Sequence, residues 1–326
     1  MKTIAFDVMG NDHGVRPAVE ATIEFLKYNL DYYFILVGDN SEISKYIKDN
    51  ERIKIVHVEN KIDQDSKSIA MRHVETSMTM AIKLVKDKEA DAVLSAGSSA
   101  AYLTQLILIL KRIEHVKRPA FMPIFPTIKD NKKFLMLDVG ANIITTDEML
   151  VQWALMGTIF SRIVLKIEKP TVGLLNIGTE DNKGHDYHRL ANQKLIADKR
   201  INYQGFFEPR DLLTGNIDVV VADGYGGNLV LKTMEGTVLS LLSLIKMNLN
   251  QKLSYKIGAL FARKAFLNVK KQLDYRNVGA AWVLGVNGLA MKAHGSSDKQ
   301  AYLGAFQQLS NALNNDFWNK FKESLI

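Results

Sequence analysis

The stretch VVVADGYGGN, residues 219–228, ends a run of valines with an aspartate and then turns through three glycines into a long apolar helix. The first backbone N–H groups of a helix have no partner within it, and together with the helix dipole they bind anions. A strand followed by such a turn therefore predicts a phosphate site. We expect this site to be built from Asp223, Gly224, Gly226, Gly227 and Asn228.

Turns of similar composition follow other candidate strands, at 7–14, 95–102, 137–142 and 176–184. The ligand crevice of an open α/β sheet lies beyond the carboxyl ends of its strands, so we expect all of these turns to meet at one site. The candidate contact residues in these turns and in a later polar stretch are Asp7, Gly10, Asp12, His13, Gly97, Ser98, Asn142, Asn176, Gly178, Lys183, Asn287 and His294.

The sequence lacks the common motifs of nucleophilic and nucleotide chemistry. There is no cysteine, no Gly-Lys pair of a Walker loop and no G-x-S-x-G elbow, and Leu229 replaces the third glycine of a dinucleotide fingerprint. No histidine has an aspartate five residues later, so the H-x-x-x-x-D signature of glycerol-phosphate acyltransferases is missing. His185 and His188 could share a helix face and hold a metal, but surface histidines are commoner there, so we predict neither a metal nor a cofactor. A site that binds phosphate and lacks a protein nucleophile suits a reaction in which the phosphate itself attacks the other substrate. The protein then positions the phosphate and stabilises the charge that develops.

Apolar runs alternate with helical patterns along the chain. This alternation is typical of a mainly parallel sheet covered by helices on both faces, and since no linker or repeat interrupts it, we expect one domain over 1–326. The candidate strands are 2–8, 32–38, 52–58, 91–96, 133–139, 171–177 and 217–223, and the candidate helices are 16–28, 68–87, 99–112, 146–165 and 185–198.

The net charge of +7 comes from one segment. Residues 236–273 contain no acid and seven basic residues, which equals the whole excess of 42 basic over 35 acidic residues (42 − 35 = 7). We expect this segment to form a projecting basic helical hairpin, broken near Gly258. Its basic residues are Lys246, Lys252, Lys256, Arg263, Lys264, Lys270 and Lys271.

Three roles fit a cationic, partly apolar hairpin: contact with an anionic membrane surface, contact with an acidic carrier protein, or a dimer interface with a solvated basic rim. The amino terminus lacks the apolar region of a signal peptide, and no run of eighteen apolar residues is present. We therefore expect a cytoplasmic protein, and the three roles of the hairpin stay open at this point. The pI of about 9.2 raises nucleic-acid binding as an alternative, but the basic segment has few aromatic residues and no recognition motif, so we predict no nucleic-acid partner.

The sequence resembles the PlsX-type bacterial phosphate acyltransferases nearly from end to end. The resemblance is carried by blocks in the same order: DVMGNDHG (7–14), SAGSSAA (95–101), RPAFMPIFP (118–126), FLMLDVGAN (134–142), NIGTEDNKG (176–184), VVADGYGGNLVLKTMEG (220–236) and LGVNGLAMKAHGSSD (284–298). The sequence departs from the family pattern at Asn11, where a glycine is usual, at Ser98, where an asparagine is usual, and in segment 72–78.

The resemblance implies a three-layer α/β/α fold similar to phosphotransacetylase and isocitrate dehydrogenase, and a homodimer. It also implies a protein peripheral to the membrane, which favours the lipid surface among the three roles of the hairpin. It implies that acyl-acyl-carrier protein and inorganic phosphate react to give acyl phosphate for phospholipid biosynthesis, with a downstream membrane glycerol-phosphate acyltransferase as a further partner. It also implies that Lys183 and Asn228 are catalytic. The alternatives are a phosphotransacetylase that uses an acyl-coenzyme A and, less favoured by the incomplete fingerprint, a nicotinamide-dependent dehydrogenase.

Overall fold

The computed structural model describes residues 1–48, 50–62, 75–273 and 279–325, and it contains two sheets. The first has seven strands in the order β3-β2-β1-β4-β12-β11-β5, and the second has five in the order β6-β7-β10-β8-β9. The strands are β1 Lys2–Asp7, β2 Tyr32–Gly38, β3 Ile53–His57, β4 Ala92–Ser95, β5 Ala120–Met122, β6 Ile124–Pro126, β7 Lys133–Leu137, β8 Thr171–Leu175, β9 Asn202–Phe207, β10 Val219–Val221, β11 Ala280–Leu284 and β12 Leu289–Ala293.

Both sheets are mainly parallel, as the alternating pattern predicted. In the first sheet β3, β2, β1, β4 and β12 run parallel, whereas β11 is antiparallel to both of its neighbours. In the second sheet only the edge strand β6 is antiparallel. The chain crosses from the first sheet to the second at Pro123, the single residue between β5 and β6. The carboxyl ends of three strands of each sheet (β1, β4, β12 and β7, β8, β10) carry the turns and loops of the candidate active site.

Helices cover both faces of the sheets, because alternate strand residues enter two separate hydrophobic layers. In β1, Ile4 and Phe6 belong to one layer and Ala5 to the other, and β10 alternates in the same way. The helices are α1 Arg16–Tyr28, α2 Asn40–Ile43, α3 Ser77–Lys86, α4 Ser99–Ile109, α5 Asp147–Ile163, α6 Asp186–Ala197, α7 Gly224–Leu249, α8 Leu253–Phe261, α9 Arg263–Leu273, α10 Lys299–Asn314 and α11 Phe317–Leu325.

All seven predicted strands are present with small shifts of their ends, and so are the five predicted helices. The first part of the helix predicted over 68–87 lies outside the described residues, and α3 is its described part. The pattern did not predict β5, β6, β9, β11 or β12. The strands β5 and β6 have three residues each, too few to show a period, and β11 and β12 form an antiparallel hairpin rather than a strand–helix unit.

The basic segment is helical, but the predicted break near Gly258 is wrong. Gly258 lies inside α8, and the breaks fall at 250–252 and at Ala262. The first helix of the segment is the continuation of α7, which begins at the 222–228 turn. Within α7 only Gly224 and Gly227 are buried, and its outer part exposes many apolar side chains.

In length and composition α7 is able to cross a membrane, with a mean hydropathy of 1.3 in its most apolar window. In the sequence this helix does not stand out as an uninterrupted apolar run, because Lys232, Glu235 and Lys246 interrupt the apolar residues. The helix begins at the turn that carries Asn228, so its amino end belongs to the site described next.

Candidate active site

A cleft of about 500 Å³ lies between the two sets of strand ends. Four of the five predicted turns contribute to its walls, and the 176–184 turn does not. The residues that line the cleft are Asp12, Ala96, Gly97, Ser98, Ser99, Phe121, Pro123, Phe125, Val139, Asn228, Leu231, Lys232, Glu235, Gly279, Ala280, Ala281, Lys292, Ala293, His294 and Gly295.

The first wall begins with the turns after β1 and β4, which lie in direct contact. A Cβ atom on Gly10 would lie 2.3 Å from the backbone nitrogen of Gly97, so a side chain at position 10 would force the two turns apart. Beneath them Asp7 is buried, and its Oδ2 accepts a hydrogen bond of 2.6 Å from the Ser95 hydroxyl. Burial raises the pKa of Asp7, although the bond from Ser95 opposes this. Asp7 therefore joins β1 to β4 below the cleft and does not line it.

Asn11, where the sequence departs from the family pattern, has a structural role here. It is buried, and its Nδ2 donates to the carbonyl oxygen of Ser297 at 2.7 Å and to the Tyr302 hydroxyl at 2.6 Å. The neighbouring Asp12 N–H donates to the carbonyl of Gly295 at 2.8 Å. The first turn is thereby tied to the turn after β12, which completes this wall.

The second wall rests on Asp138, a fully buried carboxylate that follows β7. Its two oxygens accept backbone N–H bonds of 2.8–3.0 Å from Phe121, Ala141 and Asn142, and a side-chain bond of 3.0 Å from Asn142. Asn142 Nδ2 also donates to the carbonyl of Pro119 at 2.8 Å. The amide of Asn142 is thus used within the protein, and the residue shapes the turn rather than lining the cleft.

Two of the three glycines of the 222–228 turn are required by close packing against backbone carbonyls. A Cβ on Gly224 would lie 2.0 Å from the carbonyl oxygen of Asn142, and one on Gly227 would lie 2.0 Å from that of Asp138. The Asp223 side chain caps α7 by accepting the Gly226 N–H at 2.7 Å, and its carbonyl accepts the Gly227 N–H at 2.8 Å. These two amides are already engaged, so the turn offers a ligand fewer free N–H groups than the sequence predicted.

Asn228 lies one turn into α7, where its exposed side chain lines the cleft and packs beside Gly140. Lys183 is placed differently. It is exposed on the 176–185 loop and is not among the residues that line the cleft. Asn176, buried at the start of that loop, donates from Nδ2 to the Lys183 carbonyl at 3.2 Å, and the Gly178 backbone lies against the Lys183 side chain. Asn176 and Gly178 therefore shape the loop that carries Lys183.

A buried histidine connects the Lys183 loop to the helix that carries Asn228. His188 Nδ1 accepts the His185 N–H at 3.3 Å, so the proton of the neutral ring lies on Nε2, which faces Asp223 Oδ2 at 3.4 Å. Burial acts to raise the pKa of Asp223, but His188 and the Gly226 N–H together hold that pKa below its usual value. Among the described residues no group of three or more histidines and carboxylates could hold a metal ion.

Two other predicted residues do not line the cleft. His13 is exposed, and its backbone N–H donates to the Asn11 side chain at 2.7 Å. Asn287 lies in the turn between β11 and β12, before Leu289, which pairs with Ala92 at the start of β4. The prediction that Asn287 contacts substrate is therefore corrected, because this turn is at the amino ends of the parallel strands, a strand length away from the cleft.

The cleft contains charged residues that the sequence analysis did not single out, namely Lys232 and Glu235 on α7 and Lys292 on β12. His294 was predicted and lines the cleft; burial lowers its pKa, and the nearby Lys232 lowers it further. A signal for Lys292 existed, since it stands two residues before His294 in the block KAHGSSD. It was missed because the strand β12 was not predicted.

Comparisons with known proteins agree with this architecture. The sequence profile of a family described as "Fatty acid synthesis protein" matches residues 2–320. A phosphate acyltransferase from Mycoplasma mobile is 56% identical over 327 residues, covering 100% of both chains. One from Streptococcus pneumoniae is 41% identical over 319 residues, covering 97% of this chain and 96% of that one.

Solved structures with the same fold include a phosphotransacetylase from Streptococcus pyogenes, with a TM-score of 0.63, 16% identity and coverage of 96% of this chain and 94% of that one. A branched-chain phosphotransacylase from Enterococcus faecalis has a TM-score of 0.61 and 13% identity, covering 95% of this chain and 98% of that one. The sequence matches extend over nearly the whole chain, and the cleft lies between two sets of strand ends. Together these observations assign the protein to a family. The chain belongs to the PlsX-type phosphate acyltransferases, a family of enzymes that transfer an acyl group to phosphate.

Proposed function

We propose that this enzyme takes a fatty acyl group from acyl-acyl-carrier protein and transfers it to inorganic phosphate, so that the acyl phosphate product enters phospholipid biosynthesis. The observation that carries the proposal is the apolar half of the cleft. Phe121, Pro123 and Phe125 from the β5–β6 crossing line the cleft together with Leu231 of α7, and Asn228 lines it one turn earlier on the same helix. A long acyl chain gains from burial against such a wall, at roughly 0.8 kcal/mol per CH₂, whereas an acetyl group has one methyl to bury.

In the proposed reaction a phosphate oxygen attacks the thioester carbonyl carbon at the polar end of the cleft. In this proposal the Asn228 side chain donates a hydrogen bond to the oxyanion that develops there. Lys183 reaches from the neighbouring loop and supplies a positive charge that reduces the repulsion between phosphate and the carbonyl oxygen. Its exposure and its long flexible stem allow this movement, while Asn176 holds the backbone of the loop.

The donor is tested by incubating the enzyme with labelled phosphate and either a long-chain acyl-acyl-carrier protein or acetyl-coenzyme A. We expect a hydroxylamine-sensitive acyl phosphate with the carrier-protein donor, and a much lower kcat/KM with acetyl-coenzyme A. A comparable kcat/KM for acetyl-coenzyme A would instead favour the phosphotransacetylase alternative. Shortening the acyl chain step by step then tests whether the apolar wall contributes to KM.

The catalytic pair is tested with Lys183→Ala and Asn228→Ala, measured in the same assay. Loss of one transition-state contact of this kind costs roughly 10²–10³ in rate. Lys199→Ala is a matched control, because Lys199 is also exposed and lies at the far end of α6. Near-normal turnover of the folded Asn228→Ala enzyme would contradict the oxyanion role, and near-normal turnover of Lys183→Ala would contradict the phosphate role.

We further propose that the enzyme is a cytoplasmic homodimer that binds the membrane peripherally through segment 236–273, close to a membrane glycerol-phosphate acyltransferase that consumes its product. Exposed apolar residues of α8 support this: Leu253 is 74% exposed, Leu260 70% and Phe261 88%. The neighbouring Lys252, Lys256 and Arg263 are exposed as well. Apolar side chains among cations suit the surface of an anionic bilayer.

A further inference from the structure

Lys292 is the most enclosed cation of the cleft. It lies on β12, which pairs with β4 so that Lys292 stands beside Ser95. Its ammonium group donates to the carbonyl oxygen of Ala96 at 3.4 Å and to that of Ala293. A lysine ammonium carries three N–H donors. Since these two carbonyls are its acceptors within the described part of the chain, one N–H remains for a ligand in the cleft.

We propose that Lys292 is the general acid that protonates the sulfur leaving from the thioester donor. This inference rests on the proposed function, because it requires a thioester. A phosphate oxygen forms the new C–O bond, the C–S bond breaks, and its electron pair stays on sulfur. The sulfur takes a proton from the Lys292 ammonium. Acylation makes the proton still held by the phosphate more acidic, and this proton passes to the neutral amine of Lys292. The products released are a thiol and an acyl phosphate dianion, and Lys292 is again an ammonium.

The electrostatic surroundings suit this role. Burial lowers the pKa of Lys292 to about 8, with Asp7 and Asp12 opposing the shift and Lys232 adding to it. The reference pKa of a cysteine thiol is about 8.5 and an alkyl thiol is no more acidic, so an ammonium with a pKa of about 8 can give its proton to the leaving sulfur without an uphill step. Glu235 and His294 complete the set of titratable groups that face the cleft around Lys292.

The other lysines near the cleft are worse placed for this step. Lys183 is on the loop outside the cleft, and Lys232 is exposed on α7. Lys292 combines enclosure with a position on the wall opposite Asn228.

The first test varies the leaving group. An alkyl thioester, acyl-pantetheine, needs protonation of its sulfur, whereas an aryl thioester releases a stable thiolate without it. For Lys292→Met we expect kcat with acyl-pantetheine to fall roughly 10²–10³-fold, and kcat with the acyl thiophenyl ester to fall less than about 5-fold. Lys292→Arg keeps the charge but is a poor acid, so it should follow the methionine variant. Equal losses with both thioesters, or no loss with either, would overturn the proposal.

The second test uses the absence of cysteine from the sequence. Lys292→Cys introduces the only thiol, which 2-bromoethylamine converts into aminoethylcysteine, an analogue of lysine with a less basic amine. We expect the unmodified variant to be inactive with acyl-pantetheine and the modified one to regain activity, with its alkaline limb of kcat shifted to lower pH. Lys54→Cys, exposed on β3, is the control and should be active before and after modification.

The same experiments separate this inference from the proposed function. If the wild-type enzyme forms no acyl phosphate from any thioester, the proposed function fails and the inference fails with it. If the wild type is active but aminoethylation of the folded cysteine variant restores nothing, or restores activity with an unshifted pH profile, only the role of Lys292 is overturned. A methionine variant that does not fold leaves the arginine and aminoethylcysteine enzymes to decide the question.

Discussion

His188 shows how one buried side chain joins two parts of the site. It belongs to α6, directly after the loop of Lys183, and it faces the carboxylate that caps the helix of Asn228. The 3.4 Å contact is longer than an ordinary hydrogen bond to a charged group, so we place its contribution at the lower end of the roughly 1.5–3 kcal/mol of such bonds, and Asp223 keeps the Gly226 N–H as a partner when the ring is removed. His188 is therefore a positioning residue for Asn228.

We expect His188→Leu to lower both the free energy of unfolding, by about 2 kcal/mol, and kcat/KM for phosphate, by roughly 10-fold. His188→Gln, whose amide can still donate to Asp223, should recover most of both. Urea unfolding and steady-state kinetics measure the two quantities. Adding Asp223→Asn to His188→Leu removes the charge that the imidazole faced, so the double variant should lose less than the sum of the single losses. Strict additivity would show that the two side chains do not act together.

Asp138 predicts a dependence of stability on pH. Burial raises its pKa from 3.8 to about 6, and the four N–H bonds it accepts only partly offset this. Between these two values the folded protein binds more protons than the unfolded chain, so the free energy of unfolding falls as pH rises from 4 to 6. The change is on the order of 3 kcal/mol.

This dependence can be isolated with Asp138→Asn, which does not titrate. We expect the stability of the wild type relative to the asparagine variant to decrease between pH 4 and pH 6 in urea unfolding experiments. Asp130→Asn, in an exposed loop, is the control and should track the wild type at each pH. A difference that stays constant, or grows with pH, would show that the four N–H donors outweigh burial and keep Asp138 ionised.

At the scale of elements, α5 packs on the second sheet through a glycine. A Cβ on Gly157 would lie 2.5 Å from Val219 Cγ1 and 3.2 Å from Leu137 Cδ2, both on fully buried residues of the central strands. Val219 is β-branched and its neighbours are close-packed, so neither atom can move away cheaply. This contact fixes the height of α5 above the strands that end at the site.

We therefore expect Gly157→Ala to lower the free energy of unfolding by about 1–3 kcal/mol through overpacking. Gly258→Ala is a matched control, because it also lies inside a helix but meets no atom within 4 Å. There the gain in helix propensity should leave stability unchanged or raise it by up to about 1 kcal/mol. Thermal and urea denaturation of both variants test the pair, and a neutral Gly157→Ala would mean that α5 can shift without cost.

At the scale of the whole molecule, the catalytic body and the basic segment are joined by one helix. The amino end of α7 forms part of the cleft, and its outer part leads to exposed apolar and cationic residues of α7 and α8. A membrane surface, an acidic carrier protein and a second subunit would each cover part of this surface. Binding to a membrane depends on anionic lipid, binding to a carrier protein depends on the acyl donor, and dimer formation depends on protein concentration.

We expect Lys252→Glu combined with Lys256→Glu to weaken binding to anionic vesicles roughly 30-fold or more, since each basic residue near the surface adds about 1 kcal/mol. Lys54→Glu with Lys86→Glu, at exposed sites on the body, should bind as the wild type does. Vesicle flotation at several salt concentrations provides the measurement, and acyl transfer in solution should be unchanged. Vesicle binding that is absent or insensitive to salt would contradict the membrane role. If sedimentation then shows a dimer that the Lys252→Glu, Lys256→Glu variant does not form, the segment is an interface between subunits.

Sequence alone determined the strand–helix order, most strand ends and the turns around the cleft. Buried parallel strands are short apolar runs, and the small polar residues that follow them are visible without any structure. It did not determine the division into two sheets, because β5, β6, β11 and β12 are too short or too irregular in pattern to be distinguished from turns.

Only the tertiary structure decided which polar residues face the cleft. Asn11 and Tyr302 are 291 positions apart, and Asp7 and Ser95 are 88 apart, yet each pair shares a hydrogen bond. Hydrogen bonds to other segments commit Asp7 and Asn142 to holding the walls, whereas Asn228 and Lys292 line the cleft. A side chain's direction depends on the partners that fill its hydrogen bonds, and those partners come from distant parts of the chain.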